Sequence, residues 1–270
     1  MLDNNNTAIL VLSCDKYADA WQPFFLFFQK YWKDCQFPLY LGTNNKRFAF
    51  PNVTQIFSNK TTTWSDELKT ILKQIPEKNI IIILEDYFIT KPVRNSDILN
   101  LVDVMEKTNA TFLKLGLFPT KFNSLWPHTS LKNFNNIASI NKGSKYRICL
   151  QIAIWNKEHL LELLVEQENP WQFEIEGSKR ANQSDKLFLT IMPDKKARYV
   201  HGPINYLCTA LTNGKWMQDA LRLAKKENIT IDTSNYPIET YWEEMKRKFY
   251  SASPIWMRQG LDFISSRLHL

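Results

Sequence analysis

The run NIIIILEDYFIT, Asn79 to Thr90, carries five apolar residues straight into Glu85 and Asp86 and then two aromatics. Two carboxylates at that point are either a solvated strand end or oxygen donors turned toward something that needs them. A second group, Ser13, Cys14, Asp15 and Tyr17, follows the apolar run AILVLSC. Its Ser and Asp also suit a plain turn. A third lies in NPWQFEIEGSKRA, with Glu174 and Glu176. Trp171 and Phe173 can give Glu174 an apolar wall, which raises a carboxylate pKa toward the range useful for proton transfer. In a locally extended chain both acids share one face, and an ion pair to Lys179 or Arg180 is the competing use. Hydrolase templates are missing: there is no GxSxG and no HExxH, and the histidines are His128, His159, His201 and His269.

These residues need elements to position them. AILVLSC reads as a central parallel strand, because it is apolar without alternation. An aromatic helical stretch follows from about Trp21 to Lys33. FPLYLGT and VTQIF read as the second and third strands. TTWSDELKTILKQI reads as an amphipathic helix, with Ser65 as N-cap and Leu68, Ile71, Leu72 and Ile75 at helical spacing. IIIIL is the fourth strand. The result is β-α-β-β-α-β, which implies an α/β fold with a mostly parallel sheet flanked by helices. Ligands of such sheets bind outside the carboxyl ends of the strands. Ser13 to Tyr17, then Gly42 and Thr43, then Glu85 and Asp86 all fall on that edge.

Later segments are less regular. ATFLKLGLF and YRICLQIAIW read as strands, and residues 119–145 as a polar loop over the site. NKEHLLELLVEQE and GKWMQDALRLAKKENI read as helices, and KARYVHGPINYL as a strand plus loop. NPWQFEIEGSKRANQSDKLFL has no clean period. No repeat or Pro/Gly-rich linker appears, so the simplest division is one domain over 1–240 and a helical tail over 241–270. The tail packs back on the domain or forms an amphipathic membrane-contact helix, with Ser253 as cap and Pro254 as first residue of its last helix.

Composition bounds the class. The chain has 270 residues, 44% hydrophobic, with nine Trp, ten Tyr and seventeen Phe, which suits a packed domain and excludes disorder. Seven Gly argue against glycine-rich phosphate loops. No secretory signal or membrane span is visible, and the four scattered Cys imply reduced thiols, so a cytoplasmic protein is expected. The net charge of +7 suits anionic partners but is spread along the chain. A nucleic-acid binder should concentrate it on one stripe, so no nucleic-acid partner is expected.

The order VLSCDKYADAWQPFF, YLGTNN, TWSDELK and LEDYF, with LQIAIWNKEHLLELL, PWQFE and NGKWMQDALRLAKKENITID behind it, resembles the GT-A type nucleotide-sugar glycosyltransferases of bacterial capsule and lipopolysaccharide gene clusters. The resemblance spans about residues 7 to 245. It implies a GT-A-like, Rossmann-related fold, a nucleotide-sugar donor (a UDP-sugar favoured) and a glycan or lipid-linked glycan acceptor. Peripheral contact with the inner membrane face goes with that acceptor. Ser13, Cys14, Asp15 and Tyr17 would hold base and ribose, and Trp64 and Ser65 would approach the nucleotide. Glu85 and Asp86 stand at the DxD element, which brings Mg²⁺ or Mn²⁺ to the diphosphate, with Asp86 as metal ligand. Here the last acid of that element is Tyr87, so metal dependence stays open, and Lys179, Arg180 and Lys215 are the cations that could serve instead. Glu174 would be the general base of an inverting transfer, with Glu176 its rival. Trp126, His128, Trp155 and Tyr206 would line the acceptor groove. An inactive scaffold on the same fold is the competing expectation.

Overall fold

The computed structural model describes residues 6–59, 63–116, 128–134, 136–192 and 202–252, with side chains to 250. Two compact units divide between Cys208 and Thr209, where the sequence places the boundary at 240.

The first unit is built on a nine-stranded sheet. Strand β1 (Thr7–Leu12) is buried along its whole length, as its unbroken apolar run requires. It pairs in parallel with β2 (Leu39–Thr43) and with β4 (Asn79–Leu84), while β3 (Val53–Phe57) extends the sheet beyond β2. Beyond β4 come β8 (Ala153–Asn156), β5 (Phe112–Lys114), β9 (Phe188–Ile191), β7 (Ile137–Ile140) and β6 (His128–Ser130). Strands β8 and β7 run against the others. The expected mostly parallel α/β sheet flanked by helices is therefore present.

Both faces are covered. Helix α1 (Trp21–Tyr31) buries Trp21, Phe24, Phe25, Phe27 and Phe28, and Phe27 stacks on Phe88 at 5.0 Å. On the other face, Leu10, Ile82, Phe112 and Trp155 join one apolar cluster with side chains of three helices. These are α2 (Trp64–Leu72), α4 (Lys157–Leu163) and α5 (Pro170–Gln183). Each such buried side chain contributes about 1.5–3 kcal/mol. Gly42 lets α2 pack closely here, since a Cβ would lie 2.9 Å from Ile71 Cδ1.

Several local expectations fail, each for a local reason. Helix α3 (Asn95–Thr108) was not foreseen; it ends where Asn109 turns left-handed at φ 49°. Residues 119–145 are not all loop, because β6 and β7 pair there. The strand expected over 146–155 is limited to Ala153–Asn156. The stretch without a period is α5 followed by β9. Asn169 and Gln172 close a capping box over Pro170, which starts the helix and contributes about 1 kcal/mol. Ser65 is not an N-cap: Thr63 holds that position, and Ser65 lies buried inside the first turn.

In the second unit, β10 (Leu211–Thr212) and β11 (Lys215–Trp216) form a hairpin. Its turn, Asn213-Gly214, takes the two positive φ angles, 50° and 69°, that this residue pair allows. Helices α6 (Gln218–Glu227) and α7 (Tyr241–Ala252) follow. Asp219, Glu239 and Glu244 tie them through Arg222, Arg247 and Lys248. Trp126, His201 and the expected helix after Ser253 lie outside the described residues.

Candidate active site

Strand direction decides what meets at the carboxyl edge of the sheet. Strands β1, β4 and β5 deliver Ser13 and Cys14, Glu85 to Tyr87, and Lys114 to Gly116 to the same edge. Because β8 runs the other way, it begins there, so Leu150 and Gln151 arrive beside them. A further segment closes over this edge. Thr90 N–H donates to Asn205 O at 2.8 Å, Leu207 N–H donates to Phe88 O at 2.8 Å, and Ile89 bridges Tyr206. Tyr206 stacks on Tyr87 with ring centroids 4.8 Å apart. Gly202 permits the crossing: at φ +75° a Cβ would overlap the Leu115 carbonyl oxygen.

Glu85 is buried, and its carboxyl is pushed well above the usual range by burial first and Asp86 second. Ser13 is its hydrogen-bond partner, and Trp21 Nε1 donates to Ser13 Oγ at 2.7 Å. Burial likewise raises the Cys14 thiol, with Glu85 adding to it. Burial also pushes the Tyr87 phenol far up, with Tyr206 as the next cause. Burial therefore disfavours the charged form of Glu85, the form that a hard cation such as Mg²⁺ or Mn²⁺ takes as a ligand. Among the described residues no group of three or more His, Cys, Asp or Glu is gathered to hold a metal. Glu85 and Asp86 are the two acids that the expected element offers an ion.

Glu174 belongs to this edge. It lies on α5, half-buried, and Leu150 N–H donates to its Oε1 at 2.7 Å. Burial raises its pKa, against the opposing pull of that N–H and of Lys114. Glu176 points elsewhere: it is exposed and ion-paired to Lys179 at 2.7 Å. The two acids therefore do not share a face, because a helix turns about 100° per residue. A group absent from the expected list is Lys114. It is 5% exposed, and burial lowers its pKa to about 8. Its parity with Phe112 sends it to the face that α5 covers. The sequence signal was a lone Lys inside ATFLKLGLF.

Other expected residues are placed differently. Asp15 accepts backbone N–H bonds from Asn44, Asn45 and Lys46 at 2.9–3.1 Å, so its carboxylate clamps the turn after β2. Tyr17 lies in the short 3-10 turn before α1, with Lys16 Nζ 5.6 Å from its ring centre. Trp64 packs on Phe173 at 5.5 Å, and Ser65 exchanges hydrogen bonds with the Glu168 backbone. Arg180 grips Glu168 with two bonds, 2.8 and 2.7 Å, and also donates to Leu163 O. Lys215 lies in the second unit and pairs with Glu243. Trp155 is core, 1% exposed and 4.5 Å from Phe112, so it lines no groove. His128 is on the outermost strand, β6.

No protein-family model matches the chain, and no curated protein sequence matches it. Among solved structures it is similar to a UDP-glucose pyrophosphorylase complexed with UDP-glucose, at 8% identity and TM-score 0.46, over 69% of this chain and 90% of that one. It is also similar to residues 1–349 of TarS from S. aureus, at 9% identity and TM-score 0.42, over 69% of this chain and 60% of that one. A third is the bifunctional glycosyltransferase WbbM, at 11% identity and TM-score 0.41, over 72% of this chain and 39% of that one. At these identities and scores the likeness carries no function with it.

Proposed function

We propose that the chain is a glycosyltransferase. It moves a sugar from a nucleotide-sugar donor, a UDP-sugar, to a glycan or lipid-linked acceptor of a bacterial surface polysaccharide. Support comes from the sequence resemblance and from one observation above all: Glu174 is held by a backbone N–H at the carboxyl edge of the sheet, with burial raising its pKa. A carboxylate so placed is a better proton acceptor than a free one. In the transfer, Glu174 takes the proton of the acceptor hydroxyl as that oxygen bonds to the sugar's anomeric carbon. The bond from that carbon to the donor phosphate breaks, and its electron pair leaves with the nucleotide. The base acts from the side opposite the leaving phosphate, so the configuration inverts. Peripheral contact with the inner membrane face belongs to the same reading. It is supported by α7, where Tyr241, Trp242, Met245 and Phe249 are exposed. No helix among the described residues is long and apolar enough to cross a membrane.

The test is a thermal-shift panel of UDP, GDP, CMP and their sugars, each with Mn²⁺ and with excess EDTA. The expected result is stabilisation by UDP and a UDP-sugar, equal in EDTA. A protein that no nucleotide stabilises is not this enzyme.

A further inference from the structure

A base works only on an acceptor that is held beside it. Of the residues expected to line an acceptor groove, Trp155 is core, His128 lies on the outermost strand and Tyr206 stacks on Tyr87. A different indole is open near Glu174. Trp171 is 73% exposed, whereas Trp21, Trp32, Trp155 and Trp216 are at most 1% exposed. It stands on α5, the helix that carries Glu174. Side chains three residues apart on a helix lie about 60° apart round the axis, with Cβ atoms about 5–6 Å apart. Ile175 is exposed too, and lies about 40° round from Trp171 on the side away from Glu174. Resting on the glycosyltransferase reading, we infer that Trp171, with Ile175 beside it, is the platform on which the acceptor sugar stacks while Glu174 takes its hydroxyl proton.

The run of α5 decides where that ring stands. The helix leads directly into β9, which starts at the amino edge parallel with β5, so its own N-terminus points to the carboxyl edge. Glu174 meets Leu150 N–H at that edge. Trp171 is one turn further out, about 4.5 Å along the axis. Its backbone is held firmly. Asn169 and Gln172 close the capping box around it. The preceding Glu168 exchanges backbone hydrogen bonds with Ser65 at 3.1 and 3.2 Å, and its carboxylate takes two bonds from Arg180. The start of α5 is thereby joined to the first turn of α2, whose Glu67 faces Asn44 and Asp15 beyond β1 and β2. A platform fixed in advance costs less to order on binding. A hydroxyl that gives its proton to Glu174 lies within about 3 Å of the carboxylate, so the sugar ring bearing it comes within reach of a side chain one turn away. The face of an indole is electron-rich, and one face of a pyranose offers C–H hydrogens that rest on it. Charge favours a neutral sugar over an anionic membrane here. Glu174 and Glu176 share this helix and Glu166 lies in the turn before it, with Lys179 paired to Glu176.

The test labels the protein with fluorotryptophan and reads the fluorine resonances. The resonance lost in Trp171→Phe belongs to Trp171, and the one lost in Trp242→Ser is the control. With UDP present, the methyl α- and β-glycosides of glucose, galactose and N-acetylglucosamine are titrated in, and their affinity is read by saturation transfer to the glycoside. At least one of them should move the Trp171 resonance and leave that of Trp242 in place. Trp171→Ala should weaken that glycoside about 10-fold, and Trp171→Phe, which keeps a ring, about 2- to 3-fold. Both variants should melt at the wild-type temperature and keep the thermal shift with UDP, since the side chain is exposed. If no glycoside moves the Trp171 resonance, or Trp171→Ala binds as tightly as wild type, the platform is wrong while the glycosyltransferase reading, carried by the UDP shift, stands. If Trp171→Ala instead lowers co-sedimentation with anionic vesicles, the ring is a membrane contact and the platform is equally wrong. If no nucleotide of the thermal-shift panel stabilises wild type, the glycosyltransferase reading fails and takes the platform with it.

Discussion

Lys114→Met should make the protein more stable, and the gain should vanish in alkali. Burial moves the lysine from 10.5 to about 8, a change of about 2.5 units. At about 1.36 kcal/mol per unit the charged form destabilises the fold by about 3 kcal/mol, an upper bound that the nearby Glu174 already tempers. The sign follows from linkage. Below pH 8 both the folded and unfolded states carry the proton, and the folded state bears the full penalty. Between pH 8 and 10.5 the folded lysine loses its proton first, so wild-type stability rises toward that of the variant. Methionine has nearly the same length and no charge, so it fills the site without a cavity. The assay is urea denaturation of both proteins at half-unit steps from pH 6.5 to 10.5. The slope m is expected to be the same for both. The variant should lead by up to about 3 kcal/mol at pH 7 and by nearly nothing at pH 10.5. Cys149 and Tyr206 are present in both proteins, so their own titration largely cancels in the difference. A lead that does not depend on pH, or a variant weaker than wild type at pH 7, would refute the picture of a desolvated ammonium.

Further outcomes test other parts of the structure. Glu174→Gln should lower kcat by about 10²- to 10⁴-fold while thermal shifts with UDP stay unchanged; the wild-type acid limb, lost in the variant, should lie above the ordinary carboxylate range because burial raises that group. Gly202→Ala should cost more than about 3 kcal/mol in denaturation, since a left-handed backbone and a clash with the Leu115 carbonyl act together; a wild-type midpoint would mean the crossing segment lies elsewhere. Asp15→Ala should cost about 2–3 kcal/mol, because three backbone N–H groups lose their acceptor, and nucleotide affinity measured under folding conditions should change little. Trp242→Ser should reduce co-sedimentation with anionic vesicles several-fold without lowering the melting temperature, given a ring 78% exposed.

The parts that were legible in the sequence share a cause. AILVL and IIIIL are apolar without alternation, the pattern of a strand covered on both faces, so the sheet and its carboxyl edge could be read from them. Helix α5 was not legible because its buried positions are Phe173, Gly177, Ser178 and Ala181. Small and polar residues pack closely there but leave no hydrophobic period. Gly177, for example, would place a Cβ 2.8 Å from Ile148 Cδ1. The usable signal was the Asn-Pro-x-Gln cap. Missing it had a direct consequence for function. An extended reading puts Glu174 and Glu176 on one face, whereas two helical steps turn them about 200° apart. The helix therefore separates the acid bonded to Leu150 N–H from the one spent on Lys179.

Lys114 was hidden for a different reason. A lone Lys in an apolar run is compatible with an exposed edge strand, and nothing local says that β5 lies between β8 and β9. That depends on pairings with residues about 40 and 75 positions later in the chain, which local pattern cannot register. The same pairings change what the acids after IIIIL can do. Burial, with Asp86 second, raises the Glu85 carboxyl, and burial first and Tyr206, about 120 residues away, second raise the Tyr87 phenol. The packing that disfavours a charged Glu85 thus also buries a positive group, Lys114, at the same edge.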